Sequence, residues 1–179
     1  MAVVDRFDKL TLAGLILCVA VLSVLLLQGG GQKNATAAVD KALEQQIAYQ
    51  ARVDFLTKLY APVEELREAG QESSALLKLD EIARKYPQEA HGEILRGEIL
   101  LKRGAVRQSI EHYVRAVRLN GDYVDAASSL SRRAEIDKLV AVQLPLFAER
   151  ARQDSQSLQL QNALTGLYYL QSRLAGGCE

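Results

Sequence analysis

The chain has 179 residues, of which 22 are basic and 22 acidic, so its formal net charge is zero. This balance argues against a nucleic-acid-binding protein, which needs a surplus of Lys and Arg to neutralise phosphates. The composition is rich in Ala, Leu, Glu, Gln, Arg and Lys, with 3 Pro and no Trp, and these abundant residues are good helix formers. Because the alternating patterns of strands are absent, we expect an all-α protein.

Residues 1–9 form a short tail, which is followed by an uncharged apolar segment. Residues 10–27 read LTLAGLILCVAVLSVLLL, and the next charged residue is Lys33. A helix that crosses a bilayer needs about 20 apolar residues, so we predict a transmembrane helix at residues 10–28, in contact with the lipid bilayer. The segment has no ionisable residue, which is typical of an anchor rather than of an ion or proton pathway.

Two other interpretations of the apolar segment stay open. A cleaved signal peptide has a shorter apolar region that ends at a small-x-small site, whereas this segment is long and leads into QGGGQ at residues 28–32. A buried helix of a soluble domain is seldom so long and so uniformly apolar. A retained span therefore explains the pattern best.

The charges that flank the predicted span nearly balance. Arg6 and Lys9 precede it, and Lys33 and Lys41 follow it. The α-amino group and the close spacing of Arg6 and Lys9 favour an N-terminus on the cytoplasmic side under the positive-inside rule. We therefore expect a single-pass protein of a bacterial inner membrane whose C-terminal domain lies in the periplasm.

Glycine and apolar periodicity organise the segments on either side of the central part of the chain. The Gly-rich residues 29–33 predict a flexible linker. Apolar residues at three-to-four spacing predict a long linking or capping helix at residues 34–55. A C-terminal capping helix is predicted at residues 154–175, with its N-cap among the first two residues, and residues 176–179 form a tail.

An internal repeat with a period of 34 residues lies between these helices. Gly70 and Gly104 are one period apart, as are Pro87 and Gly121. A glycine just after a helix adopts the left-handed conformation that ends it, so each unit is predicted to be two antiparallel helices joined by a tight turn. The predicted units are residues 56–89, 90–123 and 124–153.

Residues 90–123 carry the pattern most clearly. They read AHGEILRGEILLKRGAVRQSIEHYVRAVRLNGDY, and the small and large positions of a helical repeat are occupied by Gly97, Leu100, Ser109, Tyr113 and Ala116. This segment resembles a tetratricopeptide repeat (TPR), from which it departs at Glu93, Arg96 and Gly121. The preceding unit resembles the same family, except that Val63 replaces the usual glycine.

The third unit, residues 124–153, is degenerate. Lys138 stands where the turn glycine is expected, and Pro145 interrupts its second helix. The resemblance implies one N-terminal transmembrane helix followed by a short TPR-like α-solenoid of antiparallel helix pairs. It further implies binding of proteins rather than catalysis.

In the TPR family, positions two, five, nine and twelve of the first helix usually face a concave groove. The resemblance therefore implies a protein-binding groove that has both charged and apolar side chains. Its predicted members are Thr57, Tyr60, Glu64, Arg67, His91, Ile94, Glu98, Leu101, Asp125, Ser128, Arg132 and Glu135.

Patterns of catalytic or metal-binding chemistry are absent from the sequence. His91 and His112 belong to no metal-ligand motif and are expected at the surface. No nucleophile elbow, Walker motif or dinucleotide fingerprint occurs. Cys18 lies within the predicted span and Cys178 is next to last, so no disulfide joins them in our prediction. We expect no enzyme activity, metal, cofactor or small-molecule substrate.

Two charged clusters are expected to be solvated faces. The acidic cluster contains Glu64, Glu65, Glu68 and Glu72. The basic cluster contains Arg132, Arg133, Arg150 and Arg152.

Together these features predict an interaction protein. We expect a membrane-anchored protein–protein interaction scaffold, an accessory or assembly subunit of a membrane-associated complex, whose partners are other protein subunits. Anchoring would raise the local concentration of the repeat domain near such partners. The alternative is a periplasmic chaperone-like TPR protein that holds client polypeptides transiently.

Overall fold

A computed structural model describes the backbone of residues 4–176 and the side chains of residues 15–24 and 40–176. Cys178 and the end of the predicted tail lie outside the described residues. In the described part all regular structure is helical, as the composition predicts. The helices are α1 (Val4–Glu68), α2 (Glu72–Lys85), α3 (Ala90–Lys102), α4 (Val106–Leu119), a 3-10 turn (Gly121–Tyr123), α5 (Arg133–Gln153) and α6 (Leu158–Leu174).

The chain divides into two units, Met1–Arg52 and Val53–Glu179. In the first unit α1 begins within the predicted tail, residues 1–9, and continues without interruption through residues 29–33. This corrects the predicted linker at residues 29–33. Each glycine costs a helix only about 1 kcal/mol relative to alanine and does not forbid helical dihedral angles.

The predicted transmembrane segment lies only partly within the described residues. The side chains of residues 15–24 are described, whereas those of residues 10–14 and 25–28 lie outside the description. In the part of the chain that the structure describes, no helix combines the length and the apolar character needed to cross a bilayer.

Two helical hairpins of the second unit end their first helices in the same way, one repeat apart. Gly70 follows α1 with φ +70°, and Gly104 follows α3 with φ +78°. The amide of each glycine donates to the carbonyl three residues earlier at 3.0 Å. The next amide donates to the carbonyl five residues earlier, at 2.8 Å after Gly70 and 2.9 Å after Gly104. Both turns are therefore Schellman motifs, which require the left-handed residue that the sequence predicts.

The second helices of the two hairpins also end alike. The amides of Tyr86 and Asn120, one repeat apart, donate to carbonyls four residues earlier at 2.8 and 2.9 Å. Side chains from α1, α2, α3 and α4 belong to one buried core. Residues 56–89 and 90–123 thus share the same turn geometry at the predicted period.

Close packing explains why one unit has glycine where the other has valine. A Cβ atom on Gly97 would lie 3.2 Å from the ring of Tyr113, so this position must be small. The corresponding residues one repeat earlier are Val63 and Leu79, both fully buried. A smaller partner in α2 therefore leaves room for the larger side chain in α1. Ser109, which donates to the Gly97 carbonyl at 2.8 Å, further ties α4 to α3.

The region predicted as a third unit, residues 124–153, has a different arrangement. Its first nine residues form turns, and α5 then runs as one helix that includes Lys138 and Pro145. This corrects the predicted turn and the predicted interruption. Pro145 removes one backbone donor, while buried residues on both sides of it, from Ile136 to Phe147, hold α5 against the core.

The last helix pairs with α5 and also packs on α4. It begins at Leu158, because Ser157 is its N-cap and accepts a hydrogen bond from the Leu160 amide at 3.5 Å. The predicted N-cap, Asp154 or its neighbour, lies a few residues too early. Four residues of α6 are buried in the core: Ala163, Leu167, Leu170 and Leu174.

Candidate protein-binding groove

Five of the predicted groove residues form one chain of ion pairs, which we call the charge ladder. Glu64 and Arg67 lie on α1, and Glu98 lies on α3. Arg132 is the residue just before α5, and Glu135 lies in the first turn of that helix. The ladder therefore connects both hairpins to α5, and its residues all occupy positions nine or twelve of the predicted units.

Glu98 is the centre of the charge ladder. Its Oε2 lies 2.7 Å from Nη2 of Arg67, and its Oε1 accepts from Nε of Arg132 at 3.1 Å. At the outer ends, Arg67 contacts Glu64 at 2.8 Å and Arg132 contacts Glu135 at 3.6 Å. Because the charges alternate in sign along the ladder, every neighbouring pair attracts.

The central carboxylate is much less exposed than the ends of the ladder. The side chain of Glu98 is 12% exposed, whereas that of Glu135 is 57% exposed. Burial raises the pKa of the Glu98 carboxyl above its ordinary value, and the guanidinium groups of Arg67 and Arg132 oppose that rise. A carboxylate at such a depth needs a partner for each oxygen. The two arginines meet that need, so their charges are committed within the fold.

A groove of about 430 Å³ opens beside the charge ladder. Its lining residues are Arg67, Glu98, Leu101, Lys102, Tyr113, Glu135, Lys138, Leu139, Val142 and Gln143. Tyr113 and Leu139 are buried and form its floor, whereas Val142 is 50% exposed. Lys102 and Lys138 lie at its edge, on α3 and α5. The groove therefore combines an apolar floor with a charged rim.

A second, more acidic cavity of about 310 Å³ shares one wall with the groove. It is lined by Glu64, Arg67, Glu68, Glu72, Glu98, Ile99 and Lys102. Lys102 bonds to Glu72 across it at 2.9 Å. The acidic cluster is thus only partly a solvated face, because two of its carboxylates pair with cations of the second unit.

Four of the twelve predicted members line this groove, Arg67, Glu98, Leu101 and Glu135, and the other eight do not. Tyr60 and Ile94 are buried in the core, at 3% and 0% exposure. Thr57 is exposed on α1, where its hydroxyl donates to the carbonyl four residues earlier at 2.9 Å. Asp125 and Ser128 accept hydrogen bonds from amides of their own loop at 2.9 and 3.0 Å. Both are turn-forming residues, because short polar side chains readily close such loops.

His91 is buried, which corrects its predicted place at the surface. Its Nδ1 lies 3.0 Å from the hydroxyl of Tyr123, and its ring centroid lies 4.9 Å from that of Tyr60. Burial is the main cause that lowers the pKa of His91 to about 4, and the charges of Arg132 and Arg67 add to it. The imidazole is therefore neutral at pH 7. Tyr123, which the sequence analysis did not single out, is its partner.

His112 is half-buried and paired, so its prediction as a surface histidine is also corrected. Its Nδ1 lies 2.6 Å from Oε2 of Glu93, which Arg115 approaches at 3.4 Å. Burial raises the pKa of Glu93, but the hydrogen bond and charge of His112 and the nearby arginines outweigh it, so the net shift is downward. Glu93 departs from the TPR pattern, and its contacts with His112 and Arg115 link α3 to α4.

The basic cluster is not one solvated face. Besides Arg132 in the charge ladder, Arg133 donates to the carbonyls of Val124 and Leu174 at 2.9 and 2.5 Å. Arg133 thereby ties α5 to the end of α6. The remaining two arginines, near the end of α5, are exposed.

No protein-family model matches the sequence, and no curated protein matches it either. Among the side chains that the structure describes, no group of three or more His, Cys, Asp and Glu could hold a metal ion. Function is therefore inferred from the geometry of the groove and from the patterns of the sequence.

Proposed function

We propose that the chain is a membrane-anchored protein–protein interaction scaffold, an accessory or assembly subunit of a membrane-associated complex. The groove beside the charge ladder carries this proposal. It has an apolar floor and a charged rim, the combination that anchors side chains of a bound protein segment. The groove is held by contacts between elements far apart in the chain, so it is formed before a partner arrives.

We further propose that the helices of the second unit form a short TPR-like solenoid. The repeated Schellman turns at Gly70 and Gly104 support this proposal, because they recur at the 34-residue period together with equivalent helix ends. The contacts of the charge ladder across α1, α3 and α5 also support it. Stacked helix pairs of this kind present side chains of successive first helices on one surface.

The proposed anchor is the segment at residues 10–28. Of its described apolar side chains, Leu15, Leu17 and Val24 are 66%, 67% and 52% exposed. The hydroxyl of Ser23 donates to the Val19 carbonyl at 2.7 Å, so the helix satisfies it internally. Internal satisfaction of polar groups is what a hydrocarbon environment requires.

Site-specific photo-cross-linking in native membranes tests the scaffold proposal. A photoreactive residue at Val142 reports on the groove, and one at Leu158, an exposed aliphatic residue of α6, is the matched control. We expect one or a few abundant cross-linked proteins from position 142 and few from position 158. Many weak products of varied identity would indicate the chaperone-like alternative. Equal products from both positions, or none, would contradict the proposal.

Thiol labelling tests the orientation of the anchor. In a Cys18→Ser variant, Cys178 is the one remaining cysteine of the sequence. A membrane-impermeant maleimide added to cells with a permeabilised outer membrane should label Cys178 if the C-terminal domain is periplasmic. Labelling that appears only after the inner membrane is broken would reverse the proposed topology.

A further inference from the structure

The apolar part of the groove is the first clue to the chemistry of its partner. Leu101 from α3 and Leu139 from α5 face the same cavity, and Val142 extends the apolar surface toward solvent. At about 430 Å³ the cavity is within the size range of small binding sites. It accommodates side chains of a bound segment rather than a whole additional helix.

The free charges of the groove are the second clue. Lys138 lines the groove and, among the described residues, has no ion pair or hydrogen bond. Lys102 is 66% exposed, and its ion pair with Glu72 at 2.9 Å lies at the rim, where a carboxylate of a partner can compete for the ammonium group. Both ammonium groups are therefore available to a partner.

The carboxylates of the groove do not cancel these lysines. Glu98 is the deepest of them, and both of its oxygens contact arginines of the charge ladder. Glu135 is also neighboured by Arg132, at 3.6 Å. Of the side chains that line the groove, three are cationic, Arg67, Lys102 and Lys138, and two are carboxylates, Glu98 and Glu135, so the lining carries a net charge of +1.

We propose that the groove takes an acidic, apolar segment of a partner protein, with an aliphatic side chain on the floor and carboxylates at Lys102 and Lys138. This inference rests on the proposed function, because it names the partner's chemistry at the same surface. Complementary charge at the rim sets specificity and the rate of association, while the apolar contact supplies most of the affinity.

Fluorescence anisotropy with defined peptides tests the proposal on the full chain in mild detergent. The probe is a fluorescein-labelled peptide of alternating Glu and Leu. The comparison peptides replace every Glu with Lys, or every Leu with Ser. We expect the Glu-Leu peptide to bind about tenfold more tightly than either, and its affinity to fall as salt is raised.

Charge-reversal variants locate the binding. Lys102→Glu combined with Lys138→Glu should abolish the preference for the Glu-Leu peptide or reverse it. The control is Lys85→Glu, because Lys85 on α2 is 68% exposed, pairs with a glutamate as Lys102 does, and does not line the groove. Equal effects of the control and the groove variants would show non-specific charge attraction and would overturn the proposal.

A second variant examines the floor. Val142→Asp should strongly lower the affinity for the Glu-Leu peptide, because it places a carboxylate at the apolar surface next to the bound segment. Because Val142 is 50% exposed, the substitution should leave the fold intact, and circular dichroism checks that it does. Unchanged affinity would overturn the proposed seat of the aliphatic side chain.

The outcomes separate this inference from the proposed function. Stable cross-links from position 142 without a preference for acidic peptides would overturn the partner chemistry alone. If neither the cross-links nor the preference for acidic peptides were observed, the scaffold proposal would be overturned as well.

Discussion

Acidification should destabilise the second unit through His91. The residue is 9% exposed, and its ring lies between the rings of Tyr60 and Tyr123. The charged groups whose fields reach it are the guanidinium groups of Arg132 and Arg67, which disfavour a second positive charge. Protonation of this imidazole therefore requires a buried, unpaired cation or local opening of the fold.

The sign and size of the effect follow from the pKa of His91. The folded protein holds it at about 4, below the ordinary value of 6.5, so the unfolded chain binds the proton first as the pH falls. The contribution of His91 to the free energy of unfolding is therefore fully present above pH 6.5 and is lost as the pH falls toward 4. The full shift corresponds to about 3 kcal/mol, of which about 2 kcal/mol is already lost at pH 5.

The assay is urea unfolding of the full chain at pH 7.5 and pH 5, followed by tyrosine fluorescence. His91→Gln is the comparison variant, because glutamine retains hydrogen-bonding capacity toward Tyr123 and does not titrate. Carboxylates titrate in both proteins, so the difference between them isolates His91. The free energy of unfolding should fall by about 2 kcal/mol more in the wild-type chain than in the variant between these pH values. An equal pH dependence in the two proteins would refute the reasoning.

Three further predictions concern the charge ladder, the close packing at Gly97 and the turn at Gly70. Glu98→Gln should lower the free energy of unfolding by about 3 kcal/mol, because two arginines lose their shared carboxylate; Glu81→Gln, an exposed pair on α2, should leave the urea midpoint unchanged. Gly97→Ala should destabilise the fold by up to about 2 kcal/mol, because a methyl group 3.2 Å from the buried Tyr113 ring costs about 1–3 kcal/mol and a gain of about 1 kcal/mol in helix propensity offsets part of that cost. Gly70→Ala, where there is open space but φ is +70°, should cost about 1 kcal/mol through backbone strain alone. Thermal unfolding followed by circular dichroism compares the glycine variants, and a Gly97→Ala protein as stable as wild type would contradict the close packing.

The sequence predicts those features that depend on one residue and its immediate neighbours. Gly70 and Gly104 mark the turns correctly, because a positive φ after a helix favours glycine whatever the tertiary structure. The all-α class follows from composition for a similar reason. The predicted break at residues 29–33 is wrong because glycine weakens a helix without forbidding it.

Features that depend on partners distant in the chain could not be predicted in the same way. The resemblance to the TPR family implies that Arg67, Glu98 and Arg132 face one groove, but not that they bond to one another. The burial of His91 depends on Tyr123, which lies in a 3-10 turn. That turn is too short for a helical period to show that the Tyr123 side chain is buried. The continuity of α5 past Lys138 likewise depends on packing on both sides of a proline.

The charge ladder has a consequence for how such a chain could change in length. Repeat arrays commonly grow or shrink by whole units, since equivalent interfaces are interchangeable. Here Glu98 takes one arginine from the hairpin before it and another from the helix after it. Deleting residues 90–123 would bring two arginines together without their carboxylate, and duplicating them would leave each copy of the carboxylate with a single arginine. Either change would therefore cost stability unless the charges at these positions changed with it.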